Sequence, residues 1–452
     1  MTSSINTLLR SNLWPGTTTT SKKLAQTLVN TDISKNDAYF NEMGFHNHFT
    51  HVVFAAYAMG AQPHALNRVA AAASGYQKPI RPAEKGTRIT HDNWNNVELL
   101  GNRDNYTTYL SYFREAVKDS DNKDIATLLE KYLYSREAND GGVSMLSRLF
   151  SGLIHPIIHL GYALEFEHLD NKREVLAQAF AWTATHNSDY NNVLPADLWN
   201  EPEKPNAQRK TALQVLLDVL KNEDLSPSSP HTPVREDNSA LSTTNKLAGG
   251  IIAEEAANFD LPATEIPGKE HDIIRELAFA ALFMYANGCY KARKQFKPEF
   301  ILVHILNSSH FIPYVLSHTP DPRNKRLFVA AYLRATLLVY VARGRPSVPN
   351  SRVINNRPLP EDVSNIWLQV VDDALKQNDE HVTKAVRTLA FYGCNFCQYT
   401  PPELLTLGFD DTIWSRVAQQ LIAAFNQGSQ WSYEKPGFDQ SWEGDRDVYT
   451  NE

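Results

Sequence analysis

Apolar residues return every three to four positions along most of this 452-residue chain, and that spacing leaves few folds open. Residues 52–60 read Val-Val-Phe-Ala-Ala-Tyr-Ala-Met-Gly, a buried helix that stops on its glycine. The same period predicts helices over 125–134, 175–182, 212–220, 271–290, 300–306, 326–342, 365–376, 380–392 and 412–425. Few stretches alternate as a half-buried strand would, and no alternating βα units are visible, which disfavours a doubly wound parallel sheet. The expected fold is therefore all-α, a single large multi-helix domain over 1–452 with long surface loops. Two stretches carry loop signals: 223–246, dense in Pro and Ser, and 344–362, with four prolines and several asparagines. Lids are built from segments of this kind.

The balance of 42% hydrophobic and 21% charged residues suffices for a sizeable core. A net charge of −7 without any basic block argues against a nucleic-acid partner. Apolar runs such as 327–342 contain Arg334 and are too short for a membrane span. The first 23 residues are polar and lack the apolar segment of a secretory signal, so a cytoplasmic location is the default expectation. The three cysteines, Cys289, Cys394 and Cys397, cannot all pair with one another. Cys394-Asn-Phe-Cys397 has CxxC spacing but no second pair to complete a zinc site, and buried thiols are expected.

Several chemistries lack their motifs. No Gly-x-Gly-x-x-Gly occurs; Gly141-Gly142 and Gly249-Gly250 stand without a third glycine. This argues against a flavin or a nicotinamide bound in the usual way. No phosphate-binding Walker loop and no Gly-x-Ser-x-Gly elbow is present either.

What remains is fifteen histidines, several in apolar surroundings. His46-Asn-His48-Phe-Thr-His51 leads into the first apolar helix, with His48 and His51 sharing a face. His155-Pro-Ile-Ile-His159 is an HxxxH pair that can converge on one ion, as in helical metal sites. Pro156 pushes His155 out of the α region, so His155 should sit at a cap or kink. His304 lies mid-helix among apolar residues, and Asp379 is placed to cap a helix whose first turns hold His381 and Lys384. Each has a bland reading. A lone buried histidine is usually a hydrogen-bonded core residue; His46 reads as surface or an outer support, and His186 with six others as ordinary. By pattern alone Lys384 is a solvated lysine. Tyr57 and Tyr162 lie near the ligand helices and are candidates to hydrogen-bond a substrate, although core is their commoner use. Number and setting favour a shared metal, because buried imidazoles need partners and few acids lie nearby. Imidazole ligands suit iron, copper, zinc or nickel.

Three blocks resemble the questin oxidase-like family: Gly-Phe-His-Asn-His-Phe-Thr-His, Ser-Gly-Leu-Ile-His-Pro-Ile-Ile-His-Leu-Gly-Tyr-Ala-Leu-Glu-Phe, and His-Val-Thr-Lys-Ala-Val-Arg-Thr-Leu. The resemblance implies an oxygenase of fungal aromatic polyketide biosynthesis. Such an enzyme opens the quinone ring of an emodin- or questin-like anthraquinone, or inserts oxygen in the Baeyer–Villiger manner. Dioxygen and a small aromatic molecule would be its partners, and NADPH its reductant. The resemblance also implies that His48, His51, His155, His159, His304, His381 and Lys384 form the site. We expect a non-haem iron centre, Fe(2+), with mostly histidine ligands. A buried cation favours an anionic partner, and a carbamate on Lys384 would supply one. Three other readings stay open: an NADPH-dependent Baeyer–Villiger monooxygenase without metal, a helical zinc hydrolase, and a helical scaffold.

Overall fold

The structure is a computed structural model that describes residues 5–9, 13–83, 86–118, 124–200, 209–232, 240–291, 294–348, 351, 354 and 363–445. Its architecture is all-α. Among the described residues no strand forms, and the only extended pairings are isolated bridges such as Tyr39 with His46. No helix there is long and apolar enough to cross a membrane.

Packing divides the chain into two compact units. The first comprises Met1–Asn191, Phe311–Ala331 and Asn378–Lys384; the second comprises Asn192–His310, Tyr332–Gln377 and Ala385–Glu452.

In the first unit, the helices Thr19–Lys35, Phe49–Ala58 and Pro63–Ser74 pack on one another. Met145–Glu165 packs on Lys172–Thr185, which packs on Tyr106–Lys118. Phe49–Ala58 also touches Met145–Glu165, so the two groups share a core. Each helix starts or stops for a local reason. Thr18 opens the first with a capping box, accepting from Ser21 N at 3.0 Å while Ser21 Oγ accepts from Thr18 N at 2.8 Å. All ten residues of Phe49–Ala58 are buried, as expected of a helix that is apolar on every face. It ends where Gly60 turns left-handed at φ +81°.

In the second unit, Glu270–Cys289 packs against Leu302–Ser309 and Ala212–Lys221, and Ile366–Lys376 packs against Ile413–Asn426. Glu299 and Arg343 form a buried ion pair there, with Nε to Oε1 at 2.9 Å.

The periodicity placed the helices it named within a few residues, but it did not name Thr19–Lys35, Pro63–Ser74, Tyr106–Lys118 or Met145–Glu165. It erred where composition outweighed period. Residues 240–246, expected as loop, form the first turns of the Ala240–Ala257 helix. Their polar side chains are used inside the unit: Thr244 bonds Ala240 O, and Asn245 Oδ1 accepts from Val193 N at 3.1 Å. Glu223–Leu225 is a short 3-10 turn. Residues 233–239 of that loop, and 349–350, 352–353 and 355–362 of the second, lie outside the described residues. Cys289 is buried as expected, but Cys394 and Cys397 are exposed, because the Glu380–Asn395 helix ends between them.

Candidate functional site

The site of the first unit begins with Asn47. Its amide donates to Asp32 Oδ2 at 3.0 Å, and its oxygen accepts from Phe49 N at 2.8 Å. This pins the entry to the Phe49–Ala58 helix and turns His46, His48 and His51 inward, all three buried.

The facing histidines come from a broken helix. Inside Met145–Glu165, Ser151 is extended and Gly152, Leu153 and Ile154 follow at φ +54°, +56° and +64°. A left-handed backbone costs a non-glycine residue about 1–2 kcal/mol, so Leu153 and Ile154 store strain. His155, which Pro156 was expected to push out of the helical region, keeps helical angles; the break lies at Ser151–Ile154 instead, and Pro156, lacking an N–H, suits the first turn of the resumed helix. Ser151 Oγ steadies the turn by donating to Asn187 O at 2.6 Å, and His155 Nδ1 donates to Gly152 O at 2.6 Å. The break re-aims His155, so the HxxxH pair splits. His155 faces His48, with Nε2 to Nε2 at 2.7 Å, while His159 faces His51 at 3.0 Å.

A third segment enters from the Glu380–Asn395 helix. Asp379 caps it, accepting from His381 N at 2.8 Å and Val382 N at 3.0 Å. His381 is buried and lies edge-on to His48, ring centroids 4.7 Å apart. Lys384, which the pattern assigned to solvent, is 2% exposed. Helix-face reading failed because the first turns of this helix are enclosed on more than their apolar side.

The tautomers of the paired rings follow from what holds their outer nitrogens. His155 Nδ1 must carry a proton, since it faces a carbonyl. His48 Nδ1 lies 3.3 Å from the Glu380 carboxylate without hydrogen-bond geometry, and that negative charge favours the proton on Nδ1. Both inner Nε2 atoms then hold lone pairs, pointed at one another across 2.7 Å. Two lone pairs at that distance call for a cation. Two nitrogens bound to one ion at 2.0–2.1 Å and a right angle stand about 2.9 Å apart. His48, His155 and His381 offer ring nitrogens within 4.8 Å of one another, a set able to hold a metal.

The second pair is different. Gln178 Oε1 accepts from His159 Nε2 at 3.0 Å, so His159 Nδ1 is the acceptor for His51 Nε2. The contact between these two rings is satisfied by neutral imidazoles. A third pair matches it: His186 Nδ1 donates to Trp182 O at 2.5 Å, and its Nε2 meets His46 Nε2 at 2.7 Å. His46 also stacks on His155 at 4.1 Å.

His304 belongs to the second unit. It is buried in the first turn of the Leu302–Ser309 helix rather than mid-helix as expected, and its Nδ1 donates to Phe300 O at 2.8 Å, which puts its lone pair on Nε2. Tyr162 stacks on His51 at 5.0 Å, whereas Tyr57 packs with Phe166 at 6.0 Å. Sequence reasoning missed Glu380, Gln178 and His186. Glu380 was findable from the run Asp379-Glu380-His381; His186 was read as ordinary and is buried; Gln178 gave no signal.

Burial sets the charges. It pushes His48 down to about 4, with Lys384 adding to the effect, and His186 down to about 4. It pushes His159 down to about 3. Burial lowers Lys384 to about 8 although Glu380 and Asp379 oppose it. Glu380 is held down at about 2: burial works to raise it, and His48 and Lys384 outweigh that. Unfolded histidines titrate near ~6.5, so below that pH the unfolded chain binds more protons than the folded one. His159 and His186 therefore contribute stability that is fully present above about pH 6.5 and is lost as pH falls toward 4. The expected loss is about 1.4 kcal/mol per pH unit for each ring, read as a falling urea midpoint between pH 7 and 4. A flat midpoint would contradict the neutral-ring assignment.

Comparison with known proteins agrees with the sequence blocks. The family described as questin oxidase-like matches residues 45–389. A Baeyer–Villiger oxidase of Pestalotiopsis fici is 24% identical over 82% of this chain and 80% of its own length. A questin oxidase of Aspergillus terreus is 25% identical over 81% and 79%. An oxidoreductase of Aspergillus parasiticus is 26% identical over 83% and 73%.

Proposed function

Because this chain belongs to the questin oxidase-like family, whose relatives are named oxidases, it is an oxidoreductase, and we propose that it is a metal-dependent oxygenase acting on a hydroxylated anthraquinone. The reaction we assign is oxygen insertion or ring cleavage next to a quinone carbonyl, in aromatic polyketide metabolism. The observation that carries this reading is the pair of facing lone pairs on His48 and His155, with His381 beside them.

His48, His155 and His381 would hold the ion, which we take to be iron. When bound, it supplies Lewis-acid and template chemistry for dioxygen and an electron-rich phenol. Glu380 orients His48 through Nδ1, the outer-shell arrangement common to metal-binding histidines. Gly152 O does the same for His155. His51 and His159 satisfy one another and stand outside this set.

Lys384 would supply the negative charge. Its amine is buried, and burial lowers it to about 8, which raises the share of the neutral form to which carbon dioxide adds. One N–C bond forms, one proton leaves, and a carbamate results on a long arm.

Protein purified without oxygen should contain about one iron per chain by elemental analysis. It should consume oxygen with emodin, with NADPH present or absent deciding the electron source. Zinc without oxygen uptake would mean a hydrolase and end this reading. Lys384→Ala should lose both metal and turnover, and 13C-bicarbonate should label the wild-type lysine. Unchanged iron in that variant removes the carbamate.

A further inference from the structure

The ring pairing of the first unit leaves one acceptor over. His51 is fully buried, and its Nδ1 makes no hydrogen bond. Its state is set from a distance. The Gln178 amide oxygen fixes the proton of His159 on Nε2, at 3.0 Å. His159 Nδ1 then accepts from His51 Nε2, also at 3.0 Å. His51 thus carries its proton on Nε2 and presents a bare lone pair at Nδ1. Neighbouring rings hold the arrangement. Tyr162 stacks on His51 with 17° between planes, and Trp182 stacks on His159 at 4.4 Å and 21°. The His51 ring lies 5.7 Å from the ring of His48.

A buried acceptor without a donor is costly, and sites that keep one are completed by a ligand or a water. The ligand must bring an O–H or N–H to a neutral nitrogen, one ring away from the proposed metal histidines. A phenolic hydroxyl fits both conditions. It is a strong donor, and it is carried on a flat ring.

We propose that His51 Nδ1 accepts a hydrogen bond from a phenolic hydroxyl of the substrate, and that His159 and Gln178 are positioning residues that lock His51 in the accepting tautomer. This rests on the hydroxylated aromatic substrate class proposed above. It goes further by making a free hydroxyl the specificity determinant. A site built around such a bond discriminates strongly against an analogue that lacks the donor, because its own polar atom is then left unpaired.

The test uses the metal-loaded protein, with Trp fluorescence as readout and two probes, emodin and its tri-O-methyl ether. Wild type should bind emodin at least about tenfold more tightly than the ether. His51→Phe keeps the stack on Tyr162 and should lose the preference while retaining metal. Gln178→Leu should lose most of it. Gln178→Glu still offers His159 an acceptor and should restore it. NMR of 15N-histidine-labelled protein gives a readout that a structural role would not move: an unprotonated Nδ1 at His51 in wild type and Gln178→Glu, absent in Gln178→Leu. A preference that survives His51→Phe overturns the proposal. So does metal loss in that variant, which would make His51 a ligand. Equal binding of both probes by wild type overturns it while leaving the oxygenase reading intact; binding of neither removes the substrate class and this inference with it.

Discussion

Replacing His155 by alanine is expected to strip the metal from the protein and to abolish turnover. The ring carries one of the two lone pairs that face each other at 2.7 Å, so the variant loses a donor atom outright. It also leaves His48 Nε2 buried without its partner, a further cost of about 1–3 kcal/mol. Loss of an outer-shell partner alone typically costs about 10–100-fold in metal affinity, and loss of a direct ligand should exceed that. Glu380→Gln provides the graded comparison, since it alters only the group that orients His48. The expected order of metal content is wild type, then Glu380→Gln, then His155→Ala at background, read by elemental analysis and oxygen uptake. Wild-type iron in His155→Ala would leave the facing histidines without a metal role.

Gly152→Ala is expected to destabilise the protein strongly. A Cβ built there lies 2.3 Å from His186 Nε2, 2.5 Å from its Cδ2 and 3.0 Å from His46 Cε1. Those rings cannot retreat, because His186 is tied to Trp182 O and stacked beside His46. The backbone is also left-handed at this position, which alanine resists. Together these terms amount to about 2–5 kcal/mol. The urea midpoint measures the loss, and any folded fraction should bind metal weakly, since Gly152 O anchors His155. Gly250→Ala is the control: it sits in the Ala240–Ala257 helix with no atom within 4 Å of the added carbon. That substitution should be neutral or stabilise by about 0.4–1 kcal/mol. Similar midpoints for the two variants would contradict the crowding argument.

Much of the site was legible in order along the chain. His48, His155 and His381 stood out because imidazoles are rare in apolar helical segments, and Pro156 announced the break beside His155. The Asp379 cap was legible too, because capping depends on residues only two or three apart. Lys384 was misjudged because a helix-face argument treats each helix as having one buried side. His186 was passed over because its neighbours in sequence are polar, while its neighbours in space are His46 and Trp182. The exposed CxxC failed in the opposite sense, with thiols that looked like core placed at a helix exit.

Apolar spacing by itself determined that the chain is helical and roughly where many of its helices run, since period is a local property of a few turns. It also supplied the inventory of imidazoles. Partner choice was decided only in three dimensions: His48 with His155, His51 with His159, His46 with His186. Each of these pairs joins residues more than a hundred positions apart, and a left-handed turn of three residues sets which ring meets which. The tautomers that separate a cation-seeking pair from a self-satisfied one depend on Gly152, three residues from His155, and on Glu380 and Gln178, groups whose proximity no local pattern encodes.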